Sequence, residues 1–281
     1  MSQPEGATEF DFDRETAVTA TGDGVFRCEL SPLWSVHRGP NGGYLAAVAL
    51  RALTDAVGDA ERAPRSLTIH YARPPVAPGP LDVVTRVERA GRSLTSLSAR
   101  LVQGDQLIGL ALAAFSRPRP GPEFCDLVPP DDVPPPDECT PRRLPNDPSI
   151  PMPAIARRWE TRWAVGAPPG TQGDTALAGG WIRLPEGRTV DALVLAAMTD
   201  GWIPPVFSRV PQAMIVPTVD LTVHFRARLP LVDAKPDDWV LASFRTDAAA
   251  DGFLEEDGSL WSRSGVLLAQ SRQLAAVLPL G

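Results

Sequence analysis

The sequence predicts an α+β protein made of two similar units in tandem, and two observations carry that reading. Ser66-Leu67-Thr68-Ile69-His70-Tyr71 returns 154 residues later as Asp220-Leu221-Thr222-Val223-His224-Phe225. An apolar run precedes each copy and ends in the same dipeptide, Leu53-Thr54-Asp55 in the first and Met198-Thr199-Asp200 in the second. Strand-like segments follow each copy. A repeat of this length decides the architecture before any single residue does. It also supplies an internal control: a polar residue kept in one copy and lost in the other is a candidate for chemistry.

In the first unit, Thr16 to Leu30 reads as one or two strands. His37-Arg38-Gly39-Pro40-Asn41-Gly42-Gly43-Tyr44 then leads into Leu45–Leu53, a helix apolar nearly all round. Such a helix belongs inside a domain. Asn41 or Gly42 is placed to cap it, and the paired glycines allow close backbone approach at its start. Strands are expected over Ser66–Arg73, Leu81–Arg89, Leu94–Val102 and Gln106–Ser116, the last after a Gly104-Asp105 turn. Residues 117 to 153 are about one-third proline, which permits neither helix nor sheet interior and reads as an extended surface linker. The second unit repeats the order: strands at Arg157–Val165 and Trp181–Leu184, a helix from Val190 to Asp200, then strands Pro217–Ala227, Asp238–Thr246, Gly252–Ser262 and Val266–Leu278. The expected domains are thus 1–116 and 154–281, joined by 117–153. A long sheet around an apolar helix satisfies each half, and two such units can continue their sheets edge to edge.

Composition narrows the function. The chain has 281 residues, 43% of them hydrophobic and 22% charged, as in a soluble globular protein. A net charge of −7 and a pI near 5.1 argue against a nucleic-acid partner, because phosphate binding needs clustered Lys and Arg. No apolar run reaches the roughly 20 residues that cross a bilayer. The polar, acidic stretch from Met1 to Arg14 predicts no secretory signal, and the expected location is the cytoplasm. Cys28, Cys125 and Cys139 form no even framework and read as reduced thiols, although Cys125 and Cys139 share a loop. No cluster has metal-ligand spacing, and there is no G-x-S-x-G elbow, G-x-G-x-x-G or phosphate loop. No metal or cofactor is expected.

The helix entry from His37 to Tyr44 and the ending Asp257-Gly258 … Trp261 … Gly265 to Gln273 resemble the double hot-dog acyl-CoA thioesterases, the thioesterase II-like group. The resemblance covers essentially the whole chain. It implies two antiparallel sheets, each wrapped around a central helix, and an acyl-CoA substrate. Pairing of chains into a homodimer or higher oligomer is implied too. Members of that family use an Asp, a Thr or Ser and a Gln of the second unit to hold and activate water. Residue by residue, Asp200 matches the Asp closing the second helix, followed by Gly201-Trp202-Ile203-Pro204. Thr218 matches the hydroxyl residue two before Asp220, and Gln273 matches the amide after the Gly265 turn.

The internal control sharpens that carry-over. Pro64 stands opposite Thr218 and Ala113 opposite Gln273, while Asp55 stands opposite Asp200. One complete constellation per chain is expected, with Asp55 a relic or a structural cap. The chemistry suits these groups: a carboxylate can orient water or take its proton, and a hydroxyl with an amide can pin it for attack. Direct carboxylate attack through a mixed anhydride is the rival route. Gly42 and Gly43, with Asn41, are placed to offer helix N-terminal amides to the thioester oxygen. Leu195, Met198 and Trp202 are placed to line an acyl tunnel.

Each residue also has a plainer reading. Asp200 can be a turn residue, Thr218 a β-branched strand entry, and Gln273 a polar residue whose inward aim depends on register. His70 and His224, duplicated beside aromatics, read as buried or interface structural residues. Two other functions compete. One is a non-catalytic acyl-CoA-binding protein. The other is a 2-enoyl-CoA hydratase, for which Asp220 and His224 share one face of a strand.

Overall fold

The computed structural model describes residues 10–142, 152–212 and 214–279, so Met1–Glu9 and residues 143–151 of the linker lie outside the described residues. The first half runs α1 (Asp11–Glu15), β1 (Thr19–Gly22), β2 (Val25–Leu30), β3 (Ser35–Val36), β4 (Gly39–Pro40), α2 (Gly42–Val57), β5 (Ala63–Tyr71), β6 (Gly79–Ala90), β7 (Leu94–Gln103) and β8 (Gln106–Ser116). The second half runs β9 (Glu160–Gly166), β10 (Ala176–Arg183), α3 (Ala192–Met198), α4 (Val206–Arg209), β11 (Met214–Ile215), β12 (Thr218–Phe225), β13 (Val240–Thr246), β14 (Ala249–Ala250), β15 (Phe253–Ser262), β16 (Leu267–Ala276) and β17 (Leu278–Pro279).

The repeated segments are β5 and β12, and they pair with each other. Thr68 lies opposite Thr222, with Ile69 opposite Leu221 and Leu67 opposite Val223. The Thr68 and Thr222 hydroxyls meet at 3.1 Å. Where two main sheets were expected, the described residues of both units join in one antiparallel sheet of 13 strands, in the order β1-β2-β6-β7-β8-β5-β12-β16-β15-β13-β10-β9, with β14 beside β15 and the small pairs β3-β4 and β11-β17 apart from it. The physical reason is the one that made edge-to-edge continuation attractive: each unit's open edge covers the other's backbone groups.

Helix α2 begins where Asn41 accepts from the Tyr44 N–H and ends at Gly58, whose φ of 61° is the left-handed cap. It is buried from Gly43 to Leu50 and packs on β5 to β8. Helix α3 is shorter than the expected Val190–Asp200, because Asp191 caps it by accepting from the Leu193 and Val194 N–H groups. It packs against α2, and both helices share one core with Leu67, Ile69, Leu221 and Val223. Strand β10 starts five residues before the expected Trp181. A Cβ at Gly179 would sit 2.1 Å from the Ala242 carbonyl oxygen, so the Gly179-Gly180 pair serves close strand pairing. The 154–157 stretch is a 3₁₀ turn and β9 starts only at Glu160.

Both copies carry a β-bulge at the same place. Pairing slips between Pro64 and Ser66 in β5 and between Thr218 and Asp220 in β12. His70 and His224 are exposed, not buried, on the sheet's outer face, while their neighbours Ile69 and Val223 point into the core. The three cysteines are free, Cys125 exposed and the other two buried.

Candidate active site

Asp200 sits just past the end of α3, against the beginning of α2. Its Oδ2 accepts from Asn41 Nδ2 at 2.8 Å and from the Gly43 N–H at 3.1 Å. Asn41 has no freedom to turn: its Oδ1 caps α2 by accepting from Tyr44 N, which aims its Nδ2 at Asp200. The same Nδ2 reaches the Asp200 carbonyl at 2.9 Å. A carboxylate is disfavoured by the negative end of its own helix, but here it faces the positive end of α2. Two glycines make that approach feasible. A Cβ on Gly42 would lie 2.9 Å from Asp200 Oδ2, and one on Gly43 would lie 2.5 Å from the Ala197 carbonyl oxygen.

Burial pushes the Asp200 carboxyl up to about 6, against the pull of the Gly43 N–H, Gln273, Asn41 and the Gly42 N–H, which favour its charge. The Gly42 and Gly43 amides, expected to meet the thioester oxygen, thus act on Asp200 instead. Tyr71 closes the other side: its hydroxyl donates to the Gly42 carbonyl at 2.7 Å, and burial, followed by the charges of Asp200 and Asp220, holds its proton on.

From Asp200 the network runs into the second unit's sheet. Gln273 is 5% exposed and lies in the inward row Ser271-Gln273-Ala275, so the expected register holds and Arg272 and Leu274 face out. Thr218 donates to Gln273 Oε1 at 3.1 Å, and Gln273 Nε2 donates to Glu256 Oε1 at 2.7 Å. Strict alternation from inward Leu221 would turn Thr218 outward. The bulge brings it opposite Ala275 and onto the inner face.

The structure therefore brings Asp200, Thr218, Gln273, Asn41, Gly42 and Gly43 together. It places Trp202 otherwise: half-buried, with its ring against Trp163 at 5.5 Å. Leu195 and Met198, expected along a tunnel, are fully buried in the core. Asp55 is exposed on the last turn of α2. Asp220 and His224 share one face of β12, as expected, with Asp220 half-buried and its charge felt by Tyr71, and His224 exposed.

Two participants escaped the sequence reading, and the repeat held a signal for both. Tyr71 has Phe225 as its counterpart, so a hydroxyl is kept in the first copy alone. Glu256 faces Gln273 across the ladder as Leu97 faces Ala113. The register also upholds the other pairings: Ala113 opposes Leu67 as Gln273 opposes Leu221, and Pro64 opposes Phe115 as Thr218 opposes Ala275.

Comparison with known proteins places this chain in a family. Residues 30–116 match the model of the acyl-CoA thioesterase N-terminal domain, and residues 130–277 match that of the acyl-CoA thioesterase C-terminal domain. No curated protein matches. Among solved structures, a conserved protein of unknown function with a hot-dog fold from Alicyclobacillus acidocaldarius is 25% identical, with a TM-score of 0.84 over 98% of this chain and 100% of that one. A putative thioesterase II from Thermobifida fusca is 26% identical, with a TM-score of 0.78 over 95% and 97%. A TesB protein from Mycobacterium avium subspecies paratuberculosis is 21% identical at a TM-score of 0.76 over 96% and 98%, a likeness of fold. With both halves matched in order, the chain belongs to the acyl-CoA thioesterase family and is a thioester hydrolase of hot-dog fold.

Proposed function

We propose that the chain hydrolyses a fatty or otherwise hydrophobic acyl-CoA to the free acid and CoA, at one site per chain, with water held by Asp200, Thr218 and Gln273. The observation that carries this reading is the Asp200 carboxylate, fixed against the start of α2 with its pKa raised to about 6. Such a group is mostly ionised at neutral pH and still basic enough to take a proton. Its Oδ2 is occupied by Asn41 and Gly43, which leaves Oδ1 for the reaction. Asp200 removes a proton from water, the hydroxide oxygen bonds to the thioester carbon, and the tetrahedral anion collapses with cleavage of the C–S bond. The thiolate leaves with the proton returned by Asp200, so one water is consumed and acid and thiol are formed. Thr218 and Gln273 hold that water in line.

The site is composite. The first unit, taken as 1–116, lends Asn41, Gly42, Gly43 and Tyr71. The second, taken as 154–281, lends Asp200, Thr218 and Gln273, and the Pro-rich 117–153 joins them. Trp202 is assigned to the acyl-binding side, beside Trp163. In the first copy, Pro64 and Ala113 cannot hold a water, which supports a single site.

The test is release of free thiol from acyl-CoAs of graded chain length and polarity. Steady turnover of hydrophobic acyl-CoAs is expected. Tight binding of every acyl-CoA without thiol release would sink the reading in favour of a binding protein.

A further inference from the structure

Glu256 is a carboxyl where the fold asks for a hydrocarbon. Strand β15 alternates, and its inward row is Leu254, Glu256, Gly258 and Leu260, with Glu256 only 5% exposed. Its counterpart in the first unit is Leu97, fully enclosed in the core. Burying a carboxyl is costly unless it is held, and a structural role alone is served by leucine. What holds it is Gln273, whose Nε2 donates to Glu256 Oε1 at 2.7 Å, while Gln273 Oε1 accepts from Thr218 at 3.1 Å.

An amide whose two ends are both engaged has one orientation. Without Glu256 the amide can turn over, presenting N–H groups to Thr218 and its oxygen to Asp200, where two acceptors would repel. The geometry points to Glu256 as a positioning residue: its carboxyl grips the Gln273 nitrogen, so that the amide oxygen meets Thr218 and the remaining N–H serves Asp200. This rests on the reading of Asp200, Thr218 and Gln273 as the water-holding set.

Glu256 also carries a pH signature. Burial, then the charge of Asp200, pushes it up to about 8, against the hydrogen bond from Gln273, with Glu255 and Asp257 adding repulsion from the same strand. On the outer face Arg272 lies 3.7 Å from Glu255 and 3.6 Å from Asp257, and Tyr71 lies on the far side of Asp200. At neutral pH Glu256 is protonated, and its carbonyl oxygen accepts from Gln273. Above about pH 8 its ionisation adds a second negative charge to the buried network that holds Asp200, and kcat is expected to decline.

The experiment compares kcat and KM for thiol release by wild type, E256Q, E256M, Q273A and the E256M/Q273A double variant, with D200N alongside. E256M is expected to lower kcat by up to roughly 100-fold with KM little changed, as misplacement of a reacting group does. E256Q, which keeps an acceptor, is expected to retain kcat within about threefold, and E256M to add little on the Q273A background. Wild-type turnover by E256M, or an equal loss with and without Gln273, overturns the inference while an inactive D200N leaves the hydrolytic reading standing. A fully active D200N overturns that reading itself. Should E256M fail to fold, E256Q decides: loss of the decline above about pH 8 supports the role, and its persistence overturns it.

Discussion

Asp200 is unusual for the number of constraints placed on one carboxylate. Two donors from α2 hold Oδ2, while burial raises its pKa to about 6. Activity that depends on its ionised form should rise with pH through about 6 and then level up to about pH 8, and a pH profile of kcat/KM in the free enzyme reads this directly. A profile flat from pH 5 to 7 would mean that another group carries the proton. Thr218→Val keeps the shape and removes the hydroxyl that donates to Gln273. A fall in kcat on the order of 10-fold or more is expected, with thermal stability within about 1–2 kcal/mol of wild type. An unchanged kcat would remove Thr218 from the site. At this scale the sequence was informative where the family pattern named a residue type at a fixed offset. Glu256 and Tyr71 were equally visible in the comparison of copies, as Leu97 against Glu256 and Phe225 against Tyr71. Alternation along β15 already places Glu256 in an apolar row.

The elements of the proposed site are two helix ends meeting over a bulged strand. Gly43 is where α2 touches α3, because a Cβ there would come 2.5 Å from the Ala197 carbonyl oxygen. Backbone cannot yield as a flexible side chain does, so Gly43→Ala should push the helices apart. A cost of about 1–3 kcal/mol in stability is expected, as for overpacking elsewhere, with a larger loss of kcat because Asp200 loses its donor. Thermal melting and steady-state kinetics on the same preparation check both; an unperturbed variant would show that the close approach is incidental. The bulge at Val219 was the least legible feature in the sequence. Period-two reasoning puts Leu221 and Thr218 on opposite faces, and only the extra residue brings them to the same one. Helix α3 is also shorter than the sequence reading, since Asp191 and Thr199, both inside the expected Val190–Asp200, are its caps.

Across the described residues, the two copies share one 13-stranded sheet, and the proposed function gives them one site between them. The opposite end of the helix pair shows what became of the other. There Arg188 donates to both Asp13 and Asp191, and Arg51 donates to Asp13. Ion pairs and α1 thus occupy the end that lacks Thr218, Gln273 and Glu256 counterparts. The tandem order and the edge-to-edge joining were readable from the repeat, because β5 and β12 are the repeated words themselves. The strand number and the role of α1 were not, since short polar segments such as Asp11–Glu15 carry no hydrophobic period.

Stability should carry the mark of the buried Glu256 carboxyl. Folded Glu256 holds its proton to about pH 8, whereas the unfolded chain releases it near 4.5. The folded state therefore binds more protons within that window, and stability falls as pH rises through it. Glu256→Gln removes the effect, so its melting temperature relative to wild type should climb between pH 5 and pH 8. A constant difference would show that Glu256 does not titrate in the fold.

Asp200 is the pivot of every step of the proposed hydrolysis, so its replacement is the most direct test. Steady-state release of CoA thiol from a hydrophobic acyl-CoA should fall by roughly 100-fold or more in Asp200→Asn, the scale of a lost general base, with KM little changed and the melting temperature close to wild type. Thiol release by that variant within a few-fold of wild type would contradict the account.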